Sequence, residues 1–369
     1  MELNKRDKEL LERTRKIFEG NIYPSEGYLW SPYRCVTPGR QWFNGIWNWD
    51  SAFHAVGLAG MDTEFAKESV RGFFKFQHDD GFLPDCIGEG GSIVDTLSKP
   101  PVFAWACEVI YNADKDIEFI KEMYPKLKRN ADWWYNNRCY NGLFFYDAED
   151  KKSEDYILHV KFESGWDNSV RWDKGITEYW AIDLNCFMVM FMRAMNHFAH
   201  SLGLKEDCII WEEKERGVTD LINSRLWDDE KNLYGDANKF TGEISAVLTP
   251  ANFMPLFIGI ASKKQAAHME NFAKNNFKEK MPTVSFDNPE YSTDYWRGPT
   301  WLNVAYFAAK GLKNYGFEVA DKIKENILNM CYNEKRGIFE NYNSETGEGL
   351  CCDHFSWSCV FIREFILNW

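Results

Sequence analysis

The chain has 369 residues, 45% of them hydrophobic and 27% charged, the balance of an ordinary globular protein long enough to bury a large core. Its net charge of −13 argues against nucleic acid and anionic membrane surfaces as partners, because phosphate binding needs a basic field. The aromatic share of 17%, including 16 Trp, has two uses: large core area, or flat faces that stack on sugar rings.

Met1–Gly20 is charged throughout and lacks the apolar run of a signal peptide; Leu3, Leu10 and Ile17 mark one stripe of an opening amphipathic helix that Gly20 stops. Residues 51–60 are largely apolar, and 63–77 carry Lys and Glu on one face. The alternation continues down the chain. Residues 102–111, 179–200, 249–261, 300–311 and 355–368 are apolar nearly all round, while 117–137, 207–226, 263–276 and 317–331 are amphipathic. A helix apolar on most faces is buried on most faces, whereas a one-sided helix covers a core. Six of each kind in strict alternation predict an all-α fold, an (α/α)6 barrel with six inner and six outer helices. No low-complexity linker interrupts it, so residues 1–369 are expected to form one catalytic domain.

Turn segments recur after the amphipathic helices: Asp80-Gly-Phe-Leu-Pro-Asp85, Asn141-Gly-Leu-Phe-Phe-Tyr-Asp147, Asn232-Leu-Tyr-Gly-Asp236 and Arg336-Gly-Ile-Phe-Glu340. The ten Cys are scattered, and no Cys-x-x-Cys occurs; Cys351 and Cys352 are adjacent, a poor geometry for an ordinary bridge. No stretch reaches the roughly 18 apolar residues that span a membrane. A reduced, cytoplasmic protein is expected, with no membrane partner.

The unusual residues collect before the apolar helices. Trp47-Asn-Trp-Asp50 precedes the first, Asp95–Pro101 the second, and Glu163-Ser-Gly-Trp-Asp-Asn-Ser169 the third. Tyr295-Trp-Arg-Gly-Pro-Thr-Trp301 opens the fifth, and the stretch from Glu340 to His354 leads into the sixth. In a barrel all five map to one rim. Helix N-termini hold carboxylates well, so Asp50, Asp167 or Glu340 taken singly reads as a cap. Three carboxylates interleaved with Trp on one rim read as chemistry. Hydrolysis of a glycosidic bond needs two of them, one to protonate the leaving oxygen and one to activate water or attack.

Other chemistries fit poorly. The seven His show no metal-ligand spacing, and no cofactor or metal is expected; His54, His78 and His354 read as polar support near the rim. Glycine-rich nucleotide loops and Gly-x-Ser-x-Gly are absent.

At these same residues the sequence resembles glycoside hydrolase family 63 and its trehalase relatives, most closely the small single-domain mannosylglycerate hydrolase-like members. Trp47-Asn-Trp-Asp50, Ser98-Lys-Pro-Pro101, Glu163–Ser169, Tyr295–Trp301, Phe339-Glu-Asn-Tyr-Asn343 and Phe355-Ser-Trp-Ser358 run in the family's order from about residue 28 to the end. The resemblance implies inverting hydrolysis of an α-linked sugar without metal, with Asp167 as general acid and Glu340 as general base; residue types alone allow the reverse. It also implies that Trp47, Trp49 and Asp50 hold the sugar in the −1 subsite, and that Trp166, Trp296, Arg297, Trp301, His354 and Trp357 belong to the same pocket. Tyr28 and Trp30, in the loop 28–33 with Arg34 and Arg40 nearby, are expected to close over the aglycone unless those arginines are plain surface charges.

Lys99 departs from the pattern, standing where the family usually has a Gln that contacts the sugar. It reads either as a recogniser of substrate negative charge or as the partner of Asp95 or another acid. The chain is short for the family, and a small intracellular carbohydrate such as mannosylglycerate or glucosylglycerate is the implied substrate. Two rivals stand beside this reading. A sugar epimerase on the same barrel would use His54 and His354 for proton transfer, and a non-catalytic carbohydrate-binding protein would need no acid or base. The oligomeric state is not legible.

Overall fold

Thirteen α-helices appear in the computed structural model, which describes residues 3–369; Met1 and Glu2, part of the expected domain span and of the charged N-terminal stretch, lie outside them. In chain order they are α1 (Lys5–Gly20), α2 (Asn48–Ala59), α3 (Thr63–Phe74), α4 (Phe103–Asp114), α5 (Ile117–Asn137), α6 (Tyr156–Ser164) and α7 (Ile182–Leu202). There follow α8 (Lys205–Arg225), α9 (Met254–Phe257), α10 (Lys263–Asn275), α11 (Leu302–Asn314), α12 (Val319–Asn333) and α13 (Ser356–Leu367).

The two expected kinds of helix are present, and burial tells them apart. Every residue of α2 is buried, as are 15 of the 21 in α7, whereas α8 buries four of 21 and α10 three of 13. The one-faced helices start on polar caps. Asp62 accepts from the Phe65 N–H to open α3, Asp116 from those of Glu118 and Phe119 to open α5, and Ser262 with Gln265 forms a capping box for α10. Helices α6 and α7 stop at Gly165 and Gly203, both at φ +72°.

The chain forms two compact units. One comprises residues 21–165 and 177–222, where α2 packs on α3 and α4, and α7 on α4 and α5. Here the strand Gly45–Trp47 pairs antiparallel with Cys86–Gly88, which pairs in turn with Ile93–Val94. The Asn141-Gly142 pair, at φ +51° and +84°, joins Cys139–Tyr140 to Leu143–Phe144 in a two-residue hairpin after α5. The other unit comprises, among the described residues, 3–20, 166–176 and 223–369, with α11 against α9, α12 and α13, and α1 against α12 and α13.

Three features depart from the sequence pattern. Helix α6 was not expected, because Tyr156–Ser164 has no clear amphipathic period. The expected helix over 249–261 is a 3-10 turn, Pro250–Phe253, followed by the single turn of α9; Pro250 and Pro255 each sit in an opening position, and Gly259 at φ +72° ends the run. The Glu163–Ser169 segment does not abut the third apolar helix. Asp167 precedes the start of α7 at Ile182 by fifteen residues, with the 3-10 turn Val170–Trp172 and the strand Tyr179–Trp180 intervening.

Candidate active site

In the unit that contains α11–α13, Glu340 is fixed by its backbone before its side chain acts. Its N–H donates to the Cys352 carbonyl at 2.8 Å, and its own carbonyl accepts from Ser358 Oγ at 3.4 Å. The residues after it, Asn341–Tyr342, pair with Gly349–Leu350, and Tyr342 exchanges backbone hydrogen bonds with Thr300 at 2.7 and 3.0 Å. That bridge ties the strand of Glu340 to the turn 295–301.

The turn is built tightly. Its Gly298 has no room for a side chain, since a Cβ there would stand 2.0 Å from the Ser292 carbonyl oxygen. Tyr295 adopts φ +44°, uncommon for a residue with a side chain, and its phenol donates to Glu340 Oε1 at 3.0 Å. Trp301 Nε1 donates to the Tyr295 carbonyl at 3.0 Å. The indoles of Trp296 and Trp301 stack with centroids 3.8 Å apart and planes 15° apart; Trp166 lies 5.0 Å from Trp296, and Trp357 5.6 Å from Trp301.

The loop of Asp167 is pinned to this turn by its neighbour Asn168. The Asn168 Oδ1 accepts from the Trp296 N–H at 2.8 Å, its Nδ2 donates to Asp294 at 2.9 Å, and its carbonyl accepts from Arg297 at 3.2 Å. On the other side, Arg171 lies 4.7 Å over the Trp166 ring while its guanidinium pairs with Asp236 at 2.8 and 3.0 Å.

The electrostatics follow from this packing. Glu340 is 5% exposed, and burial raises its pKa to about 7; the Tyr295 hydroxyl and the Cys352 N–H, which donates to Oε2 at 3.4 Å, pull it down, and the charge of Asp167 pushes it up. Asp167 and Glu340 are therefore close enough to interact. A carboxyl that titrates near 7 holds a useful population in both protonation states at neutral pH, which is what acid–base catalysis requires.

The other expected residues are placed as follows. Arg297 points its guanidinium at Asp173, with bonds of 2.8 and 2.9 Å, and so braces the turn. His354 is exposed at φ +53°, 3.2 Å from Asp353. In the unit that contains α2–α5, Trp47 ends its strand opposite Cys86, and Trp49 and Asp50, each 5% exposed, lie in the first turn of α2. The Trp49 ring rests on Gly165, where a Cβ would meet it at 2.4 Å. Lys99 is buried; its ammonium donates to the Phe162 carbonyl and lies 3.5 Å from Asp85, so the acid it pairs with is Asp85 and not Asp95.

Trp30 is fully buried, stacked on the half-buried Tyr28 at 4.9 Å and tilted on Tyr23, which makes it the core of its own loop. Arg34 pairs with Glu68 at 2.8 Å, and Arg40 donates to the Ile22 carbonyl at 3.2 Å. His54 is wholly buried, and burial lowers its pKa to about 3, so it stays neutral in the physiological range. A proton-transfer pair of His54 and His354 finds no support in that burial. Among the described residues no group of three or more His, Cys, Asp or Glu is clustered to hold a metal ion, and no helix is long and apolar enough to cross a membrane.

Sequence inspection missed two groups that touch Glu340. Tyr295 stood inside a motif already singled out, but for its Trp and Arg. The Cys352 contact is made by backbone, for which the sequence carries no signal.

The family model described as the mannosylglycerate hydrolase MGH1-like glycoside hydrolase domain matches residues 44–358. The mannosylglycerate hydrolase of Rubrobacter radiotolerans is 23% identical over 90% of this chain and 92% of its own. The GH63 mannosylglycerate hydrolase from Thermus thermophilus superposes over 98% of this chain and 100% of its own. Its complex with glucose has a TM-score of 0.82 at 24% identity, and its complex with Tris and D-glycerate 0.83 at 23%. Neutral trehalase Nth1 from Saccharomyces cerevisiae has a TM-score of 0.73 at 18% identity over 90% of this chain and 74% of its own. These likenesses carry the fold: the helical alternation is that of the (α/α)6 barrel.

Proposed function

The chain is a glycoside hydrolase of the mannosylglycerate hydrolase MGH1-like family, and we propose that it cleaves a small α-glycoside of glycerate with inversion, Asp167 acting as general acid and Glu340 as general base. The observation that supports a two-carboxyl mechanism is the interaction of Asp167 and Glu340 within one aromatic cluster, with Glu340 titrating near 7; which of them is acid and which base follows the family resemblance. In the ionised state Glu340 takes a proton from water as the water attacks the anomeric carbon, while Asp167 gives its proton to the departing glycerate oxygen. An inverting pair stands about 6.5–9.5 Å apart, leaving room for that water.

By the resemblance, Trp47, Trp49 and Asp50 are assigned to the −1 sugar; Trp166, Trp296, Trp301 and Trp357 are assigned as the apolar surroundings of Asp167 and Glu340. The choice of glycerate follows the substrate in the relatives' names. Lys99 is already engaged by Asp85, so recognition of the glycerate carboxylate is not assigned to it. We propose further that residues 1–369 act as one catalytic domain in the cytoplasm, a placement supported by ten free thiols.

The experiment is proton NMR of the protein with mannosylglycerate, glucosylglycerate, trehalose and an α-glucuronide. Early appearance of the β-anomer from a glycerate glycoside is expected; an α-anomer formed first, or glycerate glycosides left intact while trehalose is consumed, would overturn the mechanism or the substrate respectively.

The direction of the pH dependence tests the roles. With Glu340 as base, kcat/KM rises with pH through about 7 as that carboxyl ionises. Tyr295→Phe removes a donor that stabilises the carboxylate, so this limb moves to higher pH and the plateau falls. A limb that instead falls above 7 and moves with Tyr295 would make Glu340 the acid.

A further inference from the structure

Cys351 is the one exposed thiol among the described residues; the other nine are buried or half-buried. It follows the strand Gly349–Leu350 at φ +60°, and the next residue, Cys352, supplies the N–H that reaches Glu340 Oε2. Behind Cys351 lies Asn341, the residue after Glu340. The Asn341 side chain is 0% exposed, and neither its Nδ2 nor its Oδ1 has a conventional hydrogen-bond partner within the described residues. The Cys351 thiol lies against it, next to the Leu350 that pairs with Asn341, and also feels the charges of Glu340 and Asp294. An open thiol thus abuts a buried amide with unfilled donor and acceptor capacity, one residue from the proposed base. A buried amide in that condition is unfavourable until a polar group meets it.

We propose that Cys351 is a modification site at which a small peptide thiol of the glutathione class, joined as a mixed disulfide, switches off hydrolysis. The Cys351 thiolate attacks one sulfur of the oxidised peptide. The old S–S bond breaks, a new one forms to Cys351 Sγ, and the departing thiolate takes up the proton that Cys351 lost. Cys351 is oxidised and half of the peptide disulfide is reduced, so no further reagent is needed. The adduct carries amides a few bonds from its sulfur, matched to both halves of the Asn341 side chain. Bulk at that point also bears on the segment from which Cys352 holds Glu340. Desolvation of the sulfur itself, with Glu340 and Asp294 nearby, keeps the resting thiol above its ordinary pKa, so little thiolate is present and modification is slow.

This switch rests on the reading of Glu340 as a catalytic group, so the chemical and functional readouts are taken separately. The full-length protein is incubated with oxidised glutathione, the adduct is located by peptide mass mapping, and turnover is measured before, after, and again after dithiothreitol. One adduct on Cys351, a loss of at least ~10²-fold in kcat/KM as for a disabled base, and recovery on reduction are expected. Cys351→Ser, and Cys351→Asn as a residue that tolerates positive φ, should remain active and resist treatment. An adduct on Cys351 with turnover unchanged, an adduct only elsewhere, or equal loss in both variants would each overturn the proposal. Absence of turnover before treatment would count against the hydrolase reading; in that case an unmodified Cys351 still overturns this one.

Discussion

Replacing Glu340 by Gln, or Asp167 by Asn, is expected to lower kcat by at least ~10²-fold while the fold is kept, because each removes a proton-transfer group and little volume. Melting temperature and near-ultraviolet circular dichroism, to which the packed Trp166, Trp296, Trp301 and Trp357 rings contribute, provide the check on folding. The two variants should then part company on a substrate with a good leaving group. An α-glycosyl fluoride departs without needing a proton, so Asp167→Asn recovers most of its turnover there. Glu340→Gln still lacks the group that activates water and stays impaired on both. The reverse pattern would exchange the roles, which the residue types by themselves allow. Wild-type turnover in either folded variant on the glycerate glycoside would end the assignment.

That test is sharp because the two carboxyls differ in what the sequence could say about them. Both stood in motifs, Glu-Ser-Gly-Trp-Asp and Phe-Glu-Asn-Tyr, and the burial of Trp166 and Phe339 around them is what apolar flanks foretell. Their environments are another matter. The pKa of Glu340 depends on a phenol 45 positions away and on a backbone N–H twelve positions away. Neither contact has a periodicity, and the second has no residue-type signature at all.

The helices divide in the same way. The apolar stretch of α2 and the polar stripe of α10 announced themselves, since a 3.6-residue period integrates over a dozen side chains. Helix α6 did not, because its Tyr156, Ile157, Leu158 and Phe162 follow no such stripe, and Ile157 and Leu158 are exposed. Lys99 illustrates a third case. Its identity raises a question, charge in a place that is usually neutral, but its neighbour Asp85 could not be read from the sequence: that residue comes alongside through the strand Cys86–Gly88 that follows it.

The Glu163 of the same motif leads to the second large effect, and it concerns stability. Glu163 is 0% exposed and accepts from Arg138 Nε at 2.8 Å and Nη2 at 2.9 Å, from the Ser98 N–H at 3.1 Å and from the Asp147 N–H at 3.0 Å. Arg138, whose side chain is 3% exposed, also reaches Glu149 at 2.8 Å. Four donors on one buried carboxylate tie together the segment before α4, the end of α5, the hairpin that follows it and α6. Arg138→Met strands that carboxylate and is expected to cost ~3–5 kcal/mol, the penalty for removing one member of a buried pair. The double variant Arg138→Met with Glu163→Gln should be less damaged than the sum of the singles, because a neutral amide tolerates the site that a bare carboxylate does not. Urea unfolding of the four proteins measures the coupling. Additive losses would mean that Arg138 contributes packing against the Trp133 ring, 4.7 Å from its guanidinium carbon, and not charge compensation. Sub-additive losses would make the Glu163–Arg138 pair the anchor of a segment that ends four residues before Asp167, so that Arg138→Met should also raise the error in placing the acid. A drop in kcat for that variant at a temperature where it remains fully folded, with KM little changed, would separate this positioning effect from simple loss of native protein.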